Sequence, residues 1–134
     1  MNNNELINLA HMAKNKSYSP YSKFRVGAAL LTKDNKVFQG ANIENASYSV
    51  TICAERTAVF AAKLEGYSEF STIAIVSDSK DYISPCGSCR QVLMELCGEE
   101  LNVLLTNGNG DIKSFKLKEL LPFSFSDKNL DAEK

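Results

Sequence analysis

Two short motifs bring together residue types that can do chemistry: Cys53-Ala54-Glu55 and Pro85-Cys86-Gly87-Ser88-Cys89. Both fall at expected helix starts. Thr51 offers an N-cap that puts Cys53 in a first turn. Ser84 as N-cap would put Pro85 at the favoured first helical position, with Cys86 just after it. The unpaired backbone N–H groups and positive end of a helix favour thiolates there. Cys86 and Cys89, three residues apart, share a helix face, so with Cys53 from a second helix they can hold one ion. Three protein ligands and an open fourth position for water is the arrangement of catalytic zinc; structural zinc sites usually close all four. Glu55 is two residues from Cys53, a spacing that diverges in mid-helix, but first-turn side chains lean toward the N-terminus and can both address a point beyond it. A carboxylate beside such a water can take its proton and pass it on.

Other readings compete for the same residues. Pro-Cys-x-x-Cys by itself suits a thioredoxin-like redox pair as well as a metal. Cys53 with Glu55 favours metal, since a redox pair requires neither. A structural zinc would need Cys97 or His11 as its fourth ligand. Cys97 lies eight residues past Cys89 near a helix end and reads as a buried small hydrophobe. His11, the only histidine, reads as a partly exposed structural residue. Arg90 reads as a helix-face charge. Arg56 has an electrostatic role of its own: a divalent cation with three thiolates sums to about one negative charge, and an adjacent guanidinium can offset it.

These residues need a scaffold, and the rest of the chain supplies one. Leu6, Leu9, Ala10 and Ala13 recur at helical spacing, predicting a helix over 4–16. Val26 to Thr32 and Val37 to Ala41 form a β-hairpin across Lys33-Asp34-Asn35-Lys36. The Ala-rich stretch from Cys53 to Leu64 is a helix closed by Gly66. Thr72 to Ser77 is a buried strand, followed by a loop over 78–84 and a helix from Pro85 to Leu96 stopped by Gly98. Asn102 to Thr106 and Ile112 to Lys116 are strands joined through Asn107-Gly108-Asn109-Gly110, and a helical turn over 117–121 precedes Pro122. This α-β-β-α-β-α-β-β order implies a mixed sheet with helices on both faces. The expected organisation is one domain over 1–126 and a polar, solvated tail over 127–134.

With 134 residues, 44% hydrophobic and 23% charged, the chain has the composition of an ordinary globular protein. A net charge of -1 provides no broad cationic field for a phosphate backbone, so neither nucleic acid nor a membrane is an expected partner. The first residues lack a basic segment followed by an apolar one, which makes the cytoplasm the expected compartment. A reducing cytoplasm also turns the four cysteines away from disulfides and toward metal or catalysis.

The paired motifs match the pattern of base-modifying zinc deaminases, His-x-Glu followed by Pro-Cys-x-x-Cys, in its all-cysteine form. Phe24-Arg25-Val26-Gly27-Ala28-Ala29, the segment from Gly40 to Tyr48 and Cys86-Gly87-Ser88-Cys89-Arg90-Gln91-Val92 extend the likeness. From about Tyr18 to Phe125 the chain resembles the short, homotetrameric, zinc-dependent cytidine deaminases. The resemblance implies an α/β fold, a three-layer α/β/α sandwich with a mixed five-stranded sheet, and one zinc ion per chain held by Cys53, Cys86 and Cys89. It implies hydrolysis of cytidine or deoxycytidine to the uridine product and ammonia in pyrimidine salvage, with Glu55 carrying protons to N3 and then to the departing amine.

By the same resemblance, Asn42 and Glu44 hydrogen-bond ribose hydroxyls, Phe24 packs against the base, and backbone groups at Ala54 and Ser84 read the pyrimidine edge. Phe125 and the segment Ala46 to Tyr48 reach a neighbouring subunit's site, while Arg56 offsets the thiolate charge. Read without the family, Asn42 and Glu44 are loop residues, and Phe123 and Phe125 could equally close the core. Another cytosine-containing substrate, such as an aminoacyl-nucleoside antibiotic, is the alternative within the fold; the Phe24 segment and Asn42-x-Glu44 favour an ordinary ribose.

Overall fold

Long runs of β-branched and small apolar residues build the centre of the protein, which the computed structural model describes over residues 1–130. Val26–Thr32 (β1) and Phe70–Ser77 (β3) are buried along almost their whole length, as strands covered on both faces must be. β1 pairs antiparallel with β3 and with Val37–Ala41 (β2). β3 pairs parallel with Asn102–Thr106 (β4), and β4 pairs antiparallel with Ile112–Lys116 (β5). The result is a mixed five-stranded sheet in the order β2-β1-β3-β4-β5.

Strand alternation divides the core in two. Ala29, Leu31, Ala74, Val76 and Leu104 face Asn3–Lys14 (α1), which buries Leu6, Ile7 and Ala10 against them. Ala28, Leu30, Ile73, Ile75, Val103 and Leu105 face the opposite layer, made by Ala54–Leu64 (α2) and Gly87–Cys97 (α3). Fully burying one such Leu or Ile stabilises the fold by about 1.5–3 kcal/mol, so each layer is fixed by several mutually reinforcing contacts. α1 begins one residue earlier than its apolar pattern predicts, because Asn2 and Glu5 form a reciprocal capping box.

Two glycines set how closely the helices approach. A Cβ on Gly27 would lie 2.1 Å from the Ala10 carbonyl oxygen of α1. A Cβ on Gly40 would lie 2.3 Å from the Ala54 carbonyl oxygen and 2.5 Å from the Ala58 nitrogen. Ala54, Ala58 and Ala62, each fully buried, form the small-residue stripe that lets α2 settle this close to β2. Gly40 therefore fixes the height of the first turn of α2 above the sheet.

The remaining elements are short. A 3-10 turn spans Tyr48–Val50, Leu117–Leu120 forms α4, and Asp127–Leu130 forms α5 within the segment expected from composition to be a polar, solvated tail. The last four residues of that expected tail, 131–134, lie outside the described residues. Among the described residues no helix is long and apolar enough to cross a membrane.

Candidate active site and metal centre

α2 and α3 bring their N-termini to the same place, and both start later than the sequence predicts. Cys53, not Thr51, occupies the N-cap of α2, and Thr51 instead accepts a hydrogen bond from the Asn45 N–H at 3.2 Å. Cys86, not Ser84, occupies the N-cap of α3, where its Sγ accepts from the Cys89 N–H at 3.5 Å. Pro85 is thus outside the helix. The shift has a local cause, because the Ser84 hydroxyl and the Pro85 carbonyl are both taken by Arg90, holding the chain extended until Gly87.

Cys53 Sγ lies 3.7 Å from Cys86 Sγ, and Cys86 Sγ lies 3.3 Å from Cys89 Sγ. All three sulfurs fall within 4.8 Å of one another. Tetrahedral bonds of about 2.3 Å to zinc separate sulfur ligands by about 3.8 Å, so the spacing and the soft donors fit a zinc ion. Cys86 is exposed, Cys53 is half-buried and Cys89 is buried, which leaves the cluster open on one side.

The electrostatics of the cluster favour one thiolate, at Cys53. As free thiols, Cys89 donates toward Cys53; together with Arg56 this pulls Cys53 down to about 5, despite partial burial, and pushes Cys89 well above the usual thiol range. Arg56 donates from Nη2 to Cys53 Sγ at 3.5 Å, and the contact raises its own affinity for its proton. Its Nε is buried with no acceptor among the described residues. An unmatched guanidinium N–H beside the sulfurs calls for more negative charge than neutral thiols carry, as three metal-bound thiolates would provide.

Glu55 lies in the first turn of α2 and is only 4% exposed. Burial pushes its carboxyl up to about 7, and contact with the Cys89 thiol and the charge of Arg56 oppose that rise. A carboxyl in this range can both take and give a proton near neutral pH.

The loops around this centre are joined by backbone bridges. Ile43 and Ile52 exchange hydrogen bonds of 2.9 and 3.1 Å, which sets the Asn42–Glu44 segment beside the approach to Cys53. On its other side this segment pairs with Tyr18, whose N–H donates to the Asn42 carbonyl at 3.0 Å and whose carbonyl accepts from the Glu44 N–H at 2.8 Å.

Both polar side chains in the segment are buried and occupied. Asn42 Oδ1 accepts from the Ser17 hydroxyl and the Val26 N–H, and Nδ2 donates to the Phe24 carbonyl at 2.9 Å. Glu44 Oε1 accepts from the Tyr21 and Ser22 N–H groups at 3.0 and 3.1 Å, and Oε2 accepts from the Ser22 hydroxyl. The Ser22 contact in particular holds the Glu44 carboxyl below its ordinary range despite its burial. The two residues therefore secure the loop carrying half-buried Phe24, in addition to whatever they offer a ligand.

The structure thus gathers Cys53, Ala54, Glu55, Arg56, Ser84, Cys86 and Cys89 at two adjoining helix ends, and joins Phe24, Asn42 and Glu44 through one loop network. Ala46, Tyr48 and Phe125 are exposed, and Phe123 and Phe125 do not close the core. Cys97 is half-buried at the far end of α3, with its thiol pushed up to about 12 by burial, and His11 is exposed on α1. Spacing alone misses Ser17 and Ser22, whose partners lie more than twenty residues away. It also misreads Arg90, whose guanidinium is a three-way anchor and not a free surface charge. The one available signal is that Arg90 follows Cys86 by four residues and so shares its helix face.

The model of the cytidine and deoxycytidylate deaminase zinc-binding region matches residues 1–105. The chain belongs to that family. It is 50% identical over 131 residues to a cytidine deaminase of Halalkalibacterium halodurans, covering 98% of this chain and 99% of that one. It is 48% identical over 126 residues to a cytidine deaminase of Sporosarcina psychrophila, covering 94% and 93% of the two chains. The crystal structure of cytidine deaminase from Burkholderia pseudomallei superposes with a TM-score of 0.91 at 50% identity, covering 93% of this chain and all of that one. The five-stranded α/β architecture is the fold of these enzymes.

Proposed function

We propose that the protein is a zinc-dependent hydrolase that converts cytidine or deoxycytidine and water to uridine or deoxyuridine and ammonia, as a cytoplasmic enzyme of pyrimidine salvage. The observation that carries this reading is the juxtaposition of three thiols within 4.8 Å of one another with a buried carboxyl in the first turn of the same helix. Cys53, Cys86 and Cys89 would hold the zinc, which when bound supplies a Lewis acid that makes a water acidic enough to lose a proton near neutral pH.

The chain's own residues then account for the rest. Glu55 receives the proton from the attacking water and delivers it to ring N3, which makes C4 electrophilic. It next carries the hydroxyl proton of the tetrahedral adduct to the exocyclic nitrogen, which leaves as ammonia while the C4 carbonyl forms. The low exposure of Glu55 keeps bulk water from diverting those protons. Arg56 balances thiolate charge. Backbone groups at Ala54 and Ser84 orient the pyrimidine edge, Phe24 packs on the ring, and Asn42 and Glu44 meet the ribose from a loop already fixed by Ser17 and Ser22.

The open side of the cluster supports a homotetramer in which neighbours complete the site. Tyr48 and Phe125 are 67% and 58% exposed in the single chain, and aromatic residues of this kind gain by meeting a ligand or a second subunit. The deciding experiment measures zinc content on the same sample that is assayed for loss of cytidine absorbance. One zinc per chain with turnover is expected. Glu55→Gln should retain zinc and lose about 10²- to 10⁴-fold in rate, and Cys53→Ala, Cys86→Ala or Cys89→Ala should lose the metal. Full zinc retention by all three cysteine variants would overturn the metal assignment.

A further inference from the structure

Arg90 makes more long-range side-chain contacts than a surface helix charge requires. Its Nε donates to the Pro85 carbonyl at 2.7 Å, its Nη1 to the Leu120 carbonyl at 2.6 Å, and its Nη2 to the Ser84 hydroxyl at 2.6 Å. One guanidinium thereby ties the loop that enters Cys86 to the end of α4, thirty residues further on. The next residue repeats the pattern: Gln91 Nε2 donates to the Phe125 carbonyl at 2.9 Å. The strap from Leu121 to Phe125 is therefore held to α3 at both ends by consecutive side chains.

Apolar packing does little to hold that strap. Beneath it runs an open groove of about 650 Å³ lined by Met94, Glu95, Leu121, Pro122 and Phe123 among others. Phe123 is fully exposed and takes a left-handed backbone conformation, with φ of 52°, and Phe125 is more than half exposed. Segments with few buried apolar contacts open easily unless polar anchors restrain them.

We infer that Arg90 is a positioning residue that couples the Ser84–Cys86 loop to the C-terminal strap, with Gln91 as the second anchor. The placement of Phe125 then depends on the geometry of the metal loop. Lysine cannot replace this arginine, because its single ammonium cannot meet three acceptors that diverge in plane from a planar fork. The kinetic consequence rests on the deaminase reading above, in which Ser84 and Phe125 face substrate, whereas the coupling itself does not.

The test follows hydrogen exchange of the Leu121 and Ser126 amides, which donate to the Leu117 carbonyl and to Asn129 Oδ1 at the two ends of the strap, in the zinc-loaded protein, with steady-state cytidine kinetics and zinc content on the same samples, for wild type, Arg90→Lys and Gln91→Ala. A hydrogen bond from a charged donor is worth about 10- to 100-fold. Arg90→Lys should therefore raise strap exchange at least about tenfold and raise KM more than it lowers kcat, with zinc content unchanged. Gln91→Ala should show the same pattern more weakly and only around Phe125. Wild-type strap exchange in Arg90→Lys would overturn the inference, as would a loss confined to kcat. If Arg90→Lys does not fold, unchanged strap exchange in Gln91→Ala would overturn it. A wild type inactive on cytidine would count against the deaminase reading, and the exchange measurement would still decide the coupling.

Discussion

Gly40→Ala tests how the sheet positions the chemistry. The new Cβ would lie 2.3 Å from the Ala54 carbonyl oxygen and 2.5 Å from the Ala58 nitrogen, both in helical backbone that cannot rotate away. A carbon and a carbonyl oxygen settle at about 3.3 Å, so the first turn of α2 must retreat by about 1 Å. That turn carries Cys53 and Glu55. Overpacking of this kind costs about 1–3 kcal/mol of stability, and a displacement of about 1 Å at reacting groups can cost about 10²-fold in rate. Gly27→Ala is the control, because its Cβ meets α1, which carries none of the site residues, and the clash is as severe at 2.1 Å. Both variants should melt earlier by calorimetry. Only Gly40→Ala should lose kcat/KM when normalised to folded, zinc-loaded chain. If Gly40→Ala folds and stays within about threefold of wild type, or if Gly27→Ala is equally impaired, the height of α2 above β2 does not set the geometry of the site.

Asp78 accepts from Arg25 at 3.0 Å and pairs with Lys14 at 3.2 Å; the Arg25 contact chiefly holds its carboxyl far below the ordinary 3.8. A depressed folded value stabilises the protein above that pH and loses the effect as pH falls below it. Asp78→Asn should thus cost about 1 kcal/mol at neutral pH and progressively less in acid, and urea titrations giving a pH-independent difference would refute this. Arg56→Ala should leave the fold intact but move the pH–rate profile to higher pH, since three thiolates would lose their counter-charge; an unchanged profile with unchanged turnover would remove the charge-offset role. Phe125→Ala should raise KM by about 2- to 10-fold through loss of an aromatic contact while zinc content stays constant. Light scattering on the wild type completes that test, because a fully active monomer at assay concentration would exclude a site shared between subunits.

The spacing of Cys53, Glu55, Cys86 and Cys89 made the centre of the site legible, because metal chemistry constrains residue type and interval more tightly than packing does. Strand and helix alternation was legible for the same kind of reason: both faces of β1 and β3 must be apolar, and the glycines after α2 and α3 end those helices. The helix starts were not. Thr51 and Ser84 have the chemistry of N-caps, but one binds Asn45 and the other Arg90, and neither partner is implied by local sequence. Asn42 and Glu44 show the limit most plainly. Each is engaged by partners from a loop about twenty residues upstream, and that loop is set beside them by the bridges of Ile43 to Tyr18 and Ile52. Arg90 reaches thirty residues downstream, beyond any local pattern.

The parallel pairing of β3 with β4 bears on the order of assembly. Cys53 precedes β3 and Cys86 follows it 33 residues on, so bringing the sulfurs together closes a loop that contains the whole of β3. Loop closure over such a separation is entropically costly and is repaid only by contacts formed at the same time. The β1–β2 hairpin and its seat on α1 need no such closure and can form first. An ion held by the three sulfurs would act as a latch across that loop, and a chain stripped of it would be expected to unfold more readily.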